Sequence, residues 1–172
     1  MSPNAAIDQT GFGNGRARVL AVAGITLFVD QMSKSIAVEA FADESRQWGP
    51  LHPTLIRNSG GPFGLASGAS LFWTAVTVTG TLALLIVATT GRWSAAPALA
   101  VGALAGGAAG NLVDRIVRAP GSGRGAVVDW IVVDPYPRVF NIADVALRGG
   151  AVVLLVSLIF GGQTVTGSLQ RT

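Results

Sequence analysis

The sequence predicts an all-α membrane protein with four transmembrane helices in a single domain. Of its 172 residues, 50% are hydrophobic and only 12% are charged, whereas soluble domains carry about 25% charged residues. Too little polar surface is therefore present to cover a water-soluble globule. Four apolar segments alternate with polar connections that are rich in glycine and proline. Because a lone segment in lipid must satisfy its own backbone groups, each apolar segment is predicted to be a helix.

The first helix is predicted at residues 17–41. It follows a polar, glycine-rich segment, residues 1–15, which we expect to be a disordered tail. Its uninterrupted apolar run, Val19–Val29, is too short to span a bilayer, so this helix spans only if Asp30 and Lys34 lie near one interface. A cleavable signal peptide is the competing interpretation. It is disfavoured because no small-residue cleavage site closely follows the apolar run.

The second and third helices are predicted at residues 69–90 and 93–116, joined by a tight turn at Gly91. Threonine and valine are frequent in the second segment, which in water would favour a strand. An isolated strand in lipid leaves its backbone unpaired, so a helix is predicted there as well. The third segment is rich in small side chains, which let helices pack closely. The fourth helix is predicted at residues 141–162.

Two polar connections, residues 42–68 and 117–140, lie at the same end of the predicted bundle, and both termini lie at the other end. The arginines divide almost evenly between the two ends, so their count does not decide the orientation. Arg16 and Arg18 precede the apolar run of the first helix, which begins at Val19, and they favour cytoplasmic termini. The basic residues form no run, and we therefore expect no nucleic-acid partner.

Cysteine is absent and His52 is the only histidine. Disulfides, thiol nucleophiles and histidine-pair zinc motifs are thereby excluded. A Ser-His-Asp arrangement would have to use His52 and lacks the GxSxG serine turn.

Three aspartates, Asp114, Asp129 and Asp144, lie at or beside the ends of apolar segments. A carboxylate near hydrocarbon is costly, so such residues are candidates for function with a partner nearby. Asn111, Asp114 and Arg115 share one face of the third helix, and Arg115 is predicted to neutralise Asp114. Asp129 and Asp144 then remain as the pair that could share one proton.

Two neighbouring carboxylates do not both ionise readily, so one of them holds a proton. The ionised member can take a proton from water while the other donates one to a scissile carbonyl, which is general acid–base hydrolysis. Spacing alone leaves a structural role open, because acids are common at helix ends and Asp144 near a helix start suits the macrodipole. A small proton-coupled transporter and a non-catalytic membrane scaffold are the alternative functions.

Other polar residues have simpler interpretations. Asp30 and Lys34 are spaced i,i+4 and are predicted to neutralise each other at the membrane edge. Asn58 with Gly60 indicates a turn, and the alternative is an amide that holds substrate backbone near the acids. The glycines of the GGAAG run at Gly106 are predicted to form a close helix contact, because the run matches neither the GxGxxG spacing of dinucleotide-binding loops nor the spacing of the P-loop.

Five separated motifs occur in order along these segments: DQMSK from Asp30, RNSGGPFG from Arg57, GGAAGNLVDR from Gly106, VVDW from Val127 and FNIAD from Phe140. With these motifs on four apolar segments, the sequence resembles the lipoprotein signal peptidases, the type II signal peptidases of bacteria. The resemblance covers most of the chain between residues 30 and 144.

The resemblance implies an intramembrane aspartyl endopeptidase that cuts diacylglyceryl-modified prolipoproteins just before the lipidated cysteine. It implies four helices with a small β-cradle and an extracytoplasmic loop, here residues 42–68, and an active site at the outer face of the bacterial cytoplasmic (inner) membrane. It further implies no metal or other cofactor, contact with membrane lipid, and inhibition by globomycin at the same site. We expect the protein to be a monomer.

By the same resemblance, Asp129 and Asp144 are the catalytic residues. The supporting or substrate-binding set comprises Asn58, Gly60, Asn111, Asp114, Arg115, Asn141, Asp30 and Lys34. Residues 119–125 make the connection before Asp129 longer than is usual in the family. Arg148, one turn beyond Asp144, is also unexpected, since a guanidinium paired with Asp144 would oppose proton sharing. We therefore predict that Arg148 points away from the two acids.

Overall fold

The computed structural model describes residues 10–42, 46–61 and 68–161. Its helices are α1 (Thr10–Ala40), α2 (Ser70–Thr90), α3 (Ala95–Val117) and α4 (Ile142–Gly161). All four are long and apolar enough to cross a membrane, which confirms the predicted fold class. The main difference is at the N-terminus, where α1 begins at Thr10, inside the predicted tail. The rest of that predicted tail lies outside the described residues.

The central helix is α3, which packs against each of the other three helices. Glycines allow this close approach. A Cβ on Gly106 would collide with the carbonyl oxygen of Ala23 on α1, and a Cβ on Gly107 would collide with that of Ala143 on α4. The glycine run at Gly106 is therefore a helix contact, as predicted, and not a phosphate-binding loop.

The outward faces of the helices expose large apolar side chains. Phe72 and Ile86 on α2 are 60% and 61% exposed, and Leu158 on α4 is 69% exposed. In water, a continuous apolar surface of this kind would drive association. In a bilayer the same side chains contact acyl chains, so the chain is a multi-pass membrane protein.

The interior is apolar at one end and polar at the other. Near the α2–α3 turn, a buried apolar cluster contains Val19, Ala88, Ala98 and Val101. At the opposite end the buried side chains include a polar and charged group, Asp30, Lys34, Asp114, Arg115, Asp129 and Asn141, beside apolar residues of the cradle such as Val127 and Val128. Burying this many ionisable groups is unfavourable unless they are paired, so their partners define the site described below.

A small sheet covers the polar end of the bundle. Strand β1 (Ile56–Asn58) pairs antiparallel with β2 (Val127–Asp129), with Ile56 opposite Asp129. Isolated bridges join Leu51 to Val133 and Ile131 to Phe140. This is the expected β-cradle, and it places Asn58 and Asp129 above the ends of α3 and α4.

The longer connection after α3 folds into successive turns. The N–H of Gly121 donates to the carbonyl of Arg118 at 2.7 Å, and the N–H of Arg124 donates to that of Gly121 at 2.9 Å. Gly121 and Gly123 both have φ near 78°, which glycine adopts without a Cβ penalty. The hydroxyl of Thr74 on α2 donates to the carbonyl of Gly123 at 2.5 Å. Residues 119–125 therefore rest against the beginning of α2.

Candidate active site

A cavity of about 670 Å³ opens at the polar end of the bundle, between α2, α3, α4 and the β-cradle. Asp129, the last residue of β2, and Asp144, in the first turn of α4, both line it. Trp73, Val76 and Leu84 form an apolar wall on α2. The fold thus brings the two acids predicted to work together into one cavity.

Asp129 is buried and receives two amide hydrogen bonds. Nδ2 of Asn141 donates to Oδ1 at 2.6 Å, and Nδ2 of Asn58 donates to Oδ2 at 3.1 Å. Burial and then the negative charge of Asp144 raise the pKa of Asp129 to about 6, against the opposing effects of the two amides and of Lys34. Asp129 therefore holds a proton more readily than an ordinary aspartate does.

The amide groups of Asn58 and Asn141 are fixed in orientation. Oδ1 of Asn58 accepts from the backbone N–H of Gly60 at 3.0 Å. Oδ1 of Asn141, which caps the beginning of α4, accepts from the backbone N–H of Asp144 at 2.8 Å. Because a backbone N–H requires an acceptor, each amide oxygen faces its N–H and each NH₂ group faces Asp129.

Asn111 is oriented in the same way toward the second acid. Its Oδ1 accepts from Nζ of Lys34 at 2.9 Å, and its Nδ2 lies 3.3 Å from Oδ1 of Asp144. An ammonium group has no acceptor, so the amide oxygen has to face Lys34. Nδ2 of Asn141 also lies 3.4 Å from Oδ1 of Asn111, which links the groups around the two acids.

Beneath the cavity, Lys34 joins three helices through a buried ion cluster. Its Nζ is 2.8 Å from Oδ2 of Asp30 and 2.8 Å from Oδ2 of Asp114, and the bond to Asn111 uses its third donor. Oδ1 of Asp30 accepts from the backbone N–H of Ala143 at 2.9 Å. The predicted Asp30–Lys34 pair is therefore present, but both side chains are fully buried and connect α1 to α3 and α4.

Arg115 does not form the predicted pair with Asp114. The ion pairs of Asp114 are with Lys34 and with Arg118, whose Nε is 2.6 Å from Oδ1. Neighbours on a helix point about 100° apart, whereas residues at i,i+4 share a face. Arg115 instead donates from Nη2 to the carbonyl of Gly60 at 2.6 Å.

Arg118 and Gln31 also contact the buried acids, and neither was predicted from the sequence to do so. Nε2 of Gln31 lies 3.1 Å from Oδ2 of Asp30 and 3.3 Å from Oδ1 of Asp114. The i,i+4 spacing of Arg118 from Asp114 was a signal that could have identified it. Gln31 follows Asp30 directly in the first motif, but no spacing rule connects it with α3.

Arg148 lines the same cavity as the two acids. Its guanidinium carbon lies 6.0 Å from the centroid of the Phe140 ring, so the side chain reaches from α4 back toward the cradle. Its positive charge acts on the carboxylate of Asp144. Arg148 is therefore part of the electrostatic environment of the site. That its guanidinium points away from the two acids stays a prediction.

The family model described as "Signal peptidase (SPase) II" matches residues 22–160. The chain belongs to the signal peptidase II family. It is 38% identical over 153 residues to the lipoprotein signal peptidase of Mycolicibacterium smegmatis, covering 83% of this chain and 61% of that protein. The corresponding protein of Mycobacterium tuberculosis is 39% identical over 153 residues, covering 83% and 71% of the two chains.

Two solved structures share this fold. One bacterial membrane enzyme superposes with a TM-score of 0.70 and 28% sequence identity, covering 83% of this chain and 88% of the other. A second bacterial membrane enzyme gives a TM-score of 0.69 at 27% identity, covering 84% and 94%. Both the four-helix fold and the family resemblance noted in the sequence are thus confirmed.

Proposed function

We propose that this protein is an aspartyl endopeptidase that removes the signal peptide from diacylglyceryl-modified prolipoproteins by cleaving before the lipidated cysteine. The observation that carries the proposal is that Asp129 and Asp144 line one cavity, with amide donors oriented toward both carboxyl groups. Membership of the signal peptidase II family supports the substrate class.

The chemistry needs one proton shared between the two acids. The ionised carboxylate takes a proton from a water molecule, whose oxygen attacks the scissile carbonyl carbon, while the protonated carboxyl group donates to the carbonyl oxygen. When the tetrahedral intermediate collapses, the protonated acid donates its proton to the departing amide nitrogen. The other carboxylate takes a proton from a hydroxyl of the intermediate as the C–N bond breaks, so that the dyad again holds one proton. The raised pKa of Asp129, about 6, means that this acid keeps a proton to a higher pH than an ordinary aspartate, which favours a shared proton.

Arg115 is suited to hold the substrate backbone. Its side chain is buried, and Nε and Nη1 have no hydrogen-bond partner among the described residues. Because Arg115 lines the cavity, a substrate carbonyl there would satisfy these donors. An unsatisfied buried donor is unfavourable, so that bond would contribute to binding.

The apolar wall fits the lipid part of the substrate. Trp73, Val76 and Leu84 of α2 line the cavity, as does Leu147 of α4. Acyl chains placed here would anchor the modified cysteine and orient the scissile bond toward the acids. On this proposal the enzyme acts as a monomer in the bacterial inner membrane, with its active site at the extracytoplasmic face, and globomycin competes for the same cavity.

The proposal is tested with purified full-length protein in detergent and a diacylglyceryl-modified precursor. We expect Asp129→Asn and Asp144→Asn each to reduce kcat by about 10²- to 10⁴-fold, the usual contribution of a general acid or base. Asp134→Asn is the matched control, because this exposed aspartate pairs with His52 outside the cavity. A scaffold would tolerate all three changes, and a transporter would show no cleavage by the wild type.

A further inference from the structure

More basic than acidic residues line the cavity. Four arginines line it, Arg57, Arg115, Arg138 and Arg148, against the two aspartates of the dyad. The lining formed by the described residues is therefore net positive, whichever protonation state the dyad takes. Hydrolysis by two acids does not require this excess, and neither a neutral diacylglyceryl group nor an uncharged peptide backbone explains it.

Three of these arginines lie on the cradle side of the cavity. Arg57 lies on β1 of the cradle, and Arg138 lies in the segment that leads into α4. Arg148 starts from α4, but its guanidinium reaches back to Phe140. All three side chains are exposed, whereas Arg115 is buried and bound to the carbonyl of Gly60. The residues of α2 that line the cavity, in contrast, are mainly apolar.

This arrangement divides the cavity into an apolar part for lipid and a basic part at the membrane surface. In the proposed reaction the signal peptide before the cysteine is membrane-embedded, and the mature chain after it leaves toward water. The residues that follow the cysteine must then pass the basic part. A surface of this kind raises the rate of productive encounter with a partner of opposite charge and disfavours the binding of a partner of like charge.

We propose that Arg57, Arg138 and Arg148 form a specificity site that selects prolipoproteins with acidic residues just after the lipidated cysteine and disfavours those with lysine there. This inference rests on the proposed peptidase function and concerns only the choice among its substrates. Guanidinium groups suit this role because they remain charged and offer paired donors to a carboxylate.

The test uses the full-length enzyme in neutral detergent and three diacylglyceryl-modified precursors. They differ only at the two positions after the cysteine, which carry Asp-Asp, Ser-Ser or Lys-Lys. We expect kcat/KM to decrease in that order by about three- to tenfold per step, as for partly exposed ion pairs, with the differences shrinking as salt is added. Cleavage of the Ser-Ser precursor tests the peptidase function itself.

Charge reversal then assigns the preference to these residues. In Arg57→Glu, Arg138→Glu and Arg148→Glu, measured singly and together, the Lys-Lys precursor should gain relative to the Asp-Asp precursor. Arg124→Glu is the control, because this exposed arginine lies at the same end of the protein but outside the cavity lining. Equal rates for all three precursors with the wild type would overturn the inference while leaving the peptidase intact. A preference that survives all three reversals together would overturn its assignment to the arginines.

Discussion

Asn58 donates a hydrogen bond to Asp129 and thereby favours the ionised carboxylate. Asn58→Leu removes this donor at similar volume, so the pKa of Asp129 should rise above its value of about 6. The shared proton would then persist to higher pH. The alkaline limb of the activity profile, where activity falls with rising pH, should therefore move upward by about one pH unit. A shift of this size corresponds to the loss of about one hydrogen bond to a charged group. The measurement is kcat/KM for a lipidated precursor on both sides of neutrality.

Ser59→Ala provides the control for this change. Ser59 lies beside Asn58 and also lines the cavity. We expect its pH profile to match that of the wild type. If the alkaline limb of Asn58→Leu stays in place or moves down, the amide does not control the protonation of Asp129.

At the scale of single residues, the sequence predicted the acids better than their partners. Asp129 and Asp144 could be singled out because carboxylates beside apolar segments are rare and costly. The pairing of Asp114 could not be inferred from its neighbour Arg115, because adjacent helical side chains diverge. The carbonyl that Arg115 binds, Gly60, lies in a turn far away in the sequence. Only the fold brings these two groups together.

Among the elements, α3 depends on its glycines for contact with α1. In Gly106→Ala, the added methyl group would collide with the carbonyl oxygen of Ala23 and with the side chain of Thr26. We expect a loss of about 1–3 kcal/mol in the free energy of unfolding, as for other overpacked sites. Gly24→Ala on α1 is the matched control, because no atom lies within 4 Å of the added methyl group. Unfolding in detergent measures both, and equal stabilities would contradict the close contact.

The ion cluster is the second feature that holds α1 to α3. Lys34→Met would leave the carboxylates of Asp30 and Asp114 without their shared ammonium in a fully buried position. Removing one partner of a buried pair costs about 3–5 kcal/mol. We expect a large drop in the thermal unfolding midpoint in detergent. Arg18→Met, which removes an exposed cation from the same helix, should leave the midpoint nearly unchanged. Similar midpoints for both variants would contradict the assigned role of Lys34.

The helices were predictable from the sequence and the cradle was not. Long uncharged runs define α2, α3 and α4, because lipid permits few other structures for them. The strands contain three residues each, and β1 pairs with a partner that follows two intervening helices. Local patterning carries no information about such pairing. The cradle could be expected only from the family resemblance.

For the whole molecule, the orientation in the membrane is a separate prediction, since the arginine count does not decide it. The chain has no cysteine, so single cysteines report cleanly on either side. The variants are Ser122→Cys, in the connection between α3 and β2, and Ser94→Cys, directly before α3; both positions are exposed. With an extracytoplasmic active site, an impermeant maleimide should label position 122 in intact cells and position 94 only after permeabilisation. The reverse pattern would place the site on the cytoplasmic side.

The ion pairs of the polar core also bear on how the chain is made. Asp30–Lys34 lies within α1 and Asp114–Arg118 lies within α3, each at i,i+4. Each of these acids thus carries its own counter-ion while its helix is still alone among acyl chains during biosynthesis. The bond from Lys34 to Asp114 can form only after the ribosome has released α3 into the bilayer. In a nascent chain that ends after α2, the charge of Asp30 is therefore already neutralised by Lys34 before α3 and α4 are present.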